Sequence, residues 1–278
     1  MTDRVSLGQD FRRIAGALAV PVAVLLFWEL LSVSGIFRPQ VLPSPVAVAV
    51  RWFAYLAPTE AYNPKTYSWI SWALSGELLS DTLASLGRVV VGCLIGGGLA
   101  LPLGLLMGGS RRINRAFNPP LQFLRPIPPI AYIPLAILWF GLGNPPALFL
   151  IAIGAFFPVL INTIVGVRNV DSIYLRAALN LGADRLTVFR RIMVPAAMPY
   201  ILAGARIGIG TGFICVIVAE MIAVNSGLGY RILEAREYLW SDKVIAGMFT
   251  IGLLGLGIDL CMNRLSTWLL RWHRGQEN

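Results

Sequence analysis

Long apolar runs, broken by short charged stretches, set the pattern of this chain. Ile14 to Ser34 holds one ionised side chain, Glu29, and Leu83 to Gly108 holds only Arg88. Pro126 to Val167 holds none, which is too long for one membrane span, and "GLGNPP" (Gly141 to Pro146) divides it. A bilayer crossing takes about 20 apolar residues as a helix. Six spans are therefore predicted: Ile14 to Ser34, Leu83 to Gly108, Leu121 to Phe140, Pro146 to Val167, Ala197 to Met221 and Val244 to Leu270. The expected fold class is an all-α membrane protein.

The charged segment "RAALNLGADRLTVFRRIMVP" (Arg176 to Pro195) lies between the fourth and fifth spans. Asp171 or Ser172 caps a helix before it. Ala178, Leu181, Val188, Phe189 and Ile192 form an apolar stripe, and Gly182 permits a bend between two short helices. Arg190 and Arg191 are placed near a helix C-terminus, where cations are favoured. Pro195 marks the entry to the fifth span.

Loop charge predicts the orientation. With both termini in the cytoplasm, the inner segments 1–13, 109–124, 168–196 and 271–278 carry thirteen Arg or Lys, against six in the outer segments 35–82, 141–146 and 222–243. That bias follows the positive-inside rule. In the long outer loop, "PSPVAVAVRWFAYL" reads as an amphipathic helix on the membrane face, and Trp52, Tyr55, Trp69 and Trp72 suit an interfacial belt.

Glycines recur four residues apart at Gly92/Gly96, Gly104/Gly108 and Gly204/Gly208/Gly212. Such faces let helix backbones approach closely in lipid, for internal packing before a subunit interface. Pro102, Pro126, Pro128, Pro129, Pro134 and Pro158 fall within or at the ends of spans. "RPIPPIAYIP" (Arg125 to Pro134) is the densest group, and broken helices in membranes tend to line cavities.

Composition agrees with this reading. Of 278 residues, 56% are hydrophobic and 13% charged, against about 25% charged in soluble domains. The net charge of +9 does not point to nucleic acid, because the basic residues sit in short loops. Cys93, Cys215 and Cys261 lie far apart in apolar runs and read as small buried hydrophobes. The first apolar run lacks a small-residue cleavage site and is read as a retained span. The single histidine, His273, excludes a Ser/His/Asp set in the spans, and no metal-ligand cluster is visible. No GxxxxGK[ST] loop is present, so no nucleotide phosphate is bound by that route. The chain is not expected to be an enzyme or to bind a cofactor itself. Glu220 and Asp259 keep open a stand-alone, ion-coupled carrier, since intramembrane carboxylates are costly and often functional.

A family resemblance changes the weighing. Arg176-Ala177-Ala178, three residues, Gly182, nine residues and Ile192-Met193-Val194-Pro195 resemble the EAA loop of the permease subunits of bacterial ABC importers. Arg176 stands where that pattern has Glu, and Val194 where it has Leu. The charge reversal puts in doubt any salt bridge made by the Glu. "LRPIPPIAYIPLAILWFGLG", "GAFFPVLINTIVGVRNVD", "PYILAGARIGIG", "VAEMIAVNSGLGY" and "LPSPVAV" are similar to the nitrate/sulfonate/taurine/bicarbonate members. The resemblance covers about Val41 to Trp272.

The resemblance implies a type I importer fold in the bacterial inner membrane, with cytoplasmic segments 1–13 and 273–278 around a permease domain, 14–272. It implies a second permease subunit, expected to be identical, two ATP-binding cassette subunits that hold ATP and Mg, and a periplasmic or lipid-anchored solute-binding protein. Arg176, Ala177, Ala178, Gly182, Ala183 and Arg185 would belong to the coupling helix, which docks on the ATPase. The expected solute is a small anion, taurine or an alkanesulfonate before nitrate or bicarbonate. Arg206, Arg125, Asn225 and Glu220 are the candidate path residues.

Overall fold

The structure is a computed structural model that describes residues 4–58, 68, 69, 72 and 75–270. The tail 273–278, with His273, and the first three residues of the segment 1–13 lie outside the described residues. The chain divides into two compact units, Met1–Leu78 with Ile232–Phe249, and Leu79–Arg231 with Thr250–Asn278.

The first unit begins with α1 (Arg4–Val33) and α2 (Pro45–Leu56). Ser44 starts α2 by accepting from the Ala47 N–H at 3.1 Å, and Pro45 at the first helical position needs no donor. The Trp28 indole N–H donates to the Pro43 carbonyl at 3.0 Å and fixes the turn between α1 and α2. Arg51 pairs with Asp242 at 2.7 Å, and the Ser241 hydroxyl donates to the Gln40 carbonyl. Lys243 lies over the rings of Trp240 and Tyr55, 4.2 and 4.7 Å from their centroids. Tyr55 is therefore buried rather than part of an interfacial belt, whereas Trp69 is exposed. The lysine needs an aromatic cover, a pairing that loop composition does not reveal.

The remaining helices fall mostly in the second unit. They are α3 (Glu77–Gly109), then α4 (Arg111–Leu124) and α5 (Ile133–Phe140) separated by a 3-10 turn at Pro129–Tyr132. Next come α6 (Asn144–Arg168), α7 (Ser172–Asn180) and α8 (Arg185–Val188). A π-helical turn, Phe189–Met193, leads into α9 (Val194–Ala223). Two helices, α10 (Leu228–Glu237) and α11 (Ser241–Leu269), complete the described chain.

Among the described residues, four helical stretches are long and apolar enough to cross a membrane, at Glu77–Gly109, Asn144–Arg168, Arg185–Ala223 and Ser241–Leu269. The predicted third span is not a rod, and it makes a fifth only when its two bent halves are counted as one crossing. Arg111–Leu124 and Pro129–Phe140 meet at 84°. Pro126, Pro128 and Pro129 lack the N–H groups that a continuous helix would require there.

The four-spaced glycines are the reason α6 can sit between α3 and α9. A Cβ on Gly92 would lie 2.6 Å from the Ile151 Cβ, on Gly104 2.8 Å from Thr163, and on Gly108 2.6 Å from Val167. On the α9 side, Gly204 meets Asn162 and Pro158, and Gly208 meets Ala155 and Val159. Both glycine stripes are thus consumed inside one chain. The core they close includes Leu150, Ile151, Phe213, Val216 and Ala219.

Gly96 and Gly97 test this directly, because a Cβ on Gly96 would collide with the Ala152 carbonyl and one on Gly97 meets nothing within 4 Å. Gly96→Val is expected to destabilise the protein by about 1–3 kcal/mol through overpacking. Gly97→Ala should be neutral or slightly stabilising. Thermal unfolding of both variants in detergent checks this, and equal behaviour would contradict the packing.

Candidate functional site

The loop after α6 is built by local capping. Asp171 accepts from the Ile173 N–H at 2.8 Å and starts α7. At its end, Gly182 has φ +84°, a left-handed conformation that suits glycine, and the Ala183 N–H returns to the Ala178 carbonyl at 3.0 Å. Asp184 then starts α8 by accepting from the Leu186 N–H at 3.3 Å. The Thr187 hydroxyl, bonded to Asp184, holds that carboxyl below its usual value. The ionised cap supports the turn above the normal aspartate pKa, and the support is lost as pH falls through the lowered value.

No break follows. The stretch Arg185–Ala223 is helical throughout, with Arg190 and Arg191 in the π-helical turn rather than at a helix C-terminus. The expected C-terminal placement of these arginines is therefore corrected, because the helix runs on through Pro195, with its ladder shifted to π-type bonds at Phe189–Met193 just ahead of the proline. The expected apolar stripe is also revised. It departs at one position: Val188 is buried and Ala178, Phe189 and Ile192 are half-buried, but Leu181 is 88% exposed, and outside the stripe Ile173, Tyr174, Leu179 and Leu186 are exposed. Arg176, Ala177, Gly182 and Arg185 are exposed, and Ala178 and Ala183 half-buried. Among the described residues, the Arg176 guanidinium reaches only the Ser172 hydroxyl, at 3.4 Å.

A second cluster lies at the other end of α9. Glu220 is fully buried, and its carboxylate accepts from Arg88 Nη1 at 2.6 Å, the Ser85 hydroxyl at 2.8 Å and the Gly229 N–H at 3.0 Å. Arg88 also donates from Nε to Asn144 at 2.8 Å and from its two Nη atoms to the Ser226 carbonyl and hydroxyl. Asp81 accepts from the Gly227 N–H at 2.8 Å and from Arg231 at 2.6 Å. Asp81, Ser85 and Arg88 share one face of α3 at i, i+4 and i+7. Gly227, at φ +103°, lies so close that a Cβ would overlap the Glu220 carboxylate.

Sequence reasoning singled out Glu220 and Asn225 as path candidates but missed Asp81, Ser85, Asn144, Ser226 and Gly227 as partners. The i, i+4, i+7 spacing of polar residues at the start of α3 was the available signal. Glu220 lies inside this cluster with its partners satisfied, while Asn225 is exposed.

The other two path candidates differ. Arg206 forms a two-pronged pair with Asp259, at 2.7 Å from both Nε and Nη2, and donates to Asn263 at 2.8 Å. Arg125 sits at the proline break, exposed, and lines an open cleft of about 440 Å³ with Asn162 and Thr211. Among the described residues, no group of three or more His, Cys, Asp or Glu side chains could hold a metal ion.

The chain matches the family model described as "Binding-protein-dependent transport system inner membrane component" over residues 100–275. It is 36% identical to a putative ABC transporter permease protein of Methanocaldococcus jannaschii, over 97% of this chain and 96% of that protein. It is 34% identical to a putative aliphatic sulfonates transport permease protein of Bacillus subtilis, over 94% of this chain and 88% of that protein. With the taurine transport system permease protein of Escherichia coli it shares 30% identity, over 94% and 91%. In fold it is similar to a chain of the MetNI methionine ABC transporter in an inward-facing conformation. The TM-score is 0.62 and the identity 18%, over 70% of this chain and 97% of that one.

The buried pair yields a prediction. Arg88→Met leaves Glu220 buried without its counter-charge and should cost about 3–5 kcal/mol. Arg88→Met with Glu220→Met should cost less than the two single losses combined. Unfolding midpoints of the four proteins in one detergent measure the coupling, and strictly additive losses would show that the pair is not a unit.

Proposed function

The chain belongs to the family of binding-protein-dependent transport system inner membrane components, the permeases of ABC importers, and on that premise we propose that it forms the path for a small anion and couples it to partner ATPases through residues 172–193. It is a multi-pass protein of the inner membrane. The observation that carries the coupling reading is mechanical. A bracket of two short helices hinges at Gly182, and its second arm runs without interruption into a membrane-crossing helix. Force applied to the exposed face formed by Ile173, Tyr174, Leu181 and Leu186 would reach the bundle through α8 and α9.

In this reading Arg176, Ala177, Ala178, Gly182, Ala183 and Arg185 meet the ATPase. ATP and Mg are held by two cassette subunits, a second permease copy completes the path, and a solute-binding protein delivers the solute. Both termini lie on the ATPase side. The relatives named for aliphatic sulfonates and taurine support a sulfonate as solute, with nitrate and bicarbonate as the other small anions to test. The stand-alone carrier is not favoured, because Glu220 and Asp259 are each held by an arginine.

Purification of the tagged chain from its host in mild detergent should bring an ATP-binding subunit in stoichiometric amount. Gly182→Asp places a side chain at φ +84° and should weaken that association about tenfold while the unfolding midpoint of the spans stays unchanged. A chain that purifies alone in several detergents, or a Gly182→Asp variant with full ATPase retention, would count against the proposal.

A further inference from the structure

Two arginines lie beside the long helices α6 and α9, and the structure treats them in opposite ways. Arg206 is neutralised by Asp259 and held by Asn263. Arg125 has no hydrogen-bond or ion-pair partner for its guanidinium among the described residues. It stands at the end of α4, where the string of prolines turns the chain through 84°. Residues of α6, among them Phe157 and Asn162, and of α9, among them Ile207, Thr211 and Ile214, line the cleft with it.

The cleft carries a net positive charge, since no Asp or Glu is among its described lining residues. Its other polar groups do not offset that charge. The Thr211 hydroxyl proton is donated to the Gly154 carbonyl at 2.7 Å, and an Asn162 amide N–H goes to the Pro158 carbonyl at 2.8 Å. A bare guanidinium at this depth is not stable against hydrocarbon, so it faces water or an anion. Its fork of N–H donors fits an oxyanion with two oxygens in reach. Low-dielectric walls such as Phe157, Ile207 and Ile214 focus the field of that one charge and give room to a short alkyl group.

We propose that this cleft is an anion station on the translocation path, with the Arg125 guanidinium as its counter-charge and a small oxyanion of the sulfonate or carboxylate class as its occupant. The inference rests on the path reading above and deepens it. Arg206 takes no part, because its charge is already matched. The free arginine raises the local concentration of anions over cations in the cleft without requiring tight binding, as passage demands.

The test reads the sign of the field without knowing the solute. Cys93, Cys215 and Cys261 are replaced by alanine and Ile214→Cys is introduced, since Ile214 is 62% exposed and lines the cleft. Membrane vesicles carrying the full chain, co-expressed with its ATPase, are treated with two thiol reagents, sulfonatoethyl and trimethylammonioethyl methanethiosulfonate. Each rate is normalised to that with free mercaptoethanol. The anionic reagent should be favoured on the order of tenfold. Arg125→Gln should remove the preference and Arg125→Lys should retain it. A thiol inert to both reagents would mean that the cleft faces lipid and would overturn the proposal. So would a preference for the cation, no preference, or one that Arg125→Gln leaves unchanged. ATPase co-purification, scored on the same vesicles, separates the two readings. A bound ATPase without an anion preference defeats the station alone, and an anion preference without an ATPase defeats the importer reading alone.

Discussion

A buried carboxylate in a protein solvated by hydrocarbon has to find all its hydrogen-bond donors within the protein, and Glu220 organises one end of the bundle for that reason. Its donors come from α3 through Ser85 and Arg88, and from the backbone of the loop before and into α10 through Gly229. Arg88 extends the same network to Asn144 at the head of α6. Three spans and one loop are thereby registered by a single charge pair. The glycine at 227 is part of the same requirement, because any side chain there would occupy the space of the carboxylate. The pair gives register more securely than it gives stability, since its Coulombic attraction is offset by the cost of removing both ions from water.

The opposite end of α9 is organised by continuity. From Arg185 to Ala223 the backbone is helical, although the sequence supplies Pro195 and Pro199 and the ladder changes to π-type bonds at Phe189–Met193. One helix therefore joins the exposed bracket to the buried network. Between these ends its glycine stripe rests closely on α6, against the Pro158 and Ala155 carbonyls and the Val159 and Asn162 side chains, and a contact packed so closely resists sliding. A displacement of the bracket is then expected to move α9 and α6 together.

Much of this was legible in the sequence, for identifiable reasons. The positions of the second, fourth, fifth and sixth spans follow from local hydropathy, the Gly182 hinge from a glycine between two capped segments, and the glycine stripes from their four-residue spacing. Local capping at Asp171 was equally readable. Partnerships across the chain were not. Glu220 and Arg88 are separated by 132 positions and Arg206 and Asp259 by 53, and no periodicity connects them. The carrier alternative arose from that blindness, since an intramembrane carboxylate looks available until its arginine is found. The aromatic belt failed similarly at Tyr55, which covers a lysine far along the chain. The proline cluster announced a break but not its angle.

The contrast between Arg206 and Arg125 shows where the structure tolerates an uncompensated cost. Arg206 and Asp259 are 42% and 47% exposed, and the protein matches charge with charge there. Arg125 is exposed with no carboxylate among the described residues that line its cleft. The same fold thus contains the solution that stability alone would select and a site where it is not applied. Local conflicts of that kind tend to mark functional positions. The position of the break strengthens the point. Three prolines sacrifice helix hydrogen bonds next to this arginine, and a non-helical backbone at membrane depth is tolerated where it lines a cavity. Free charge, broken helix and open cleft coincide at one place, and the proposed passage of an anion would account for all three.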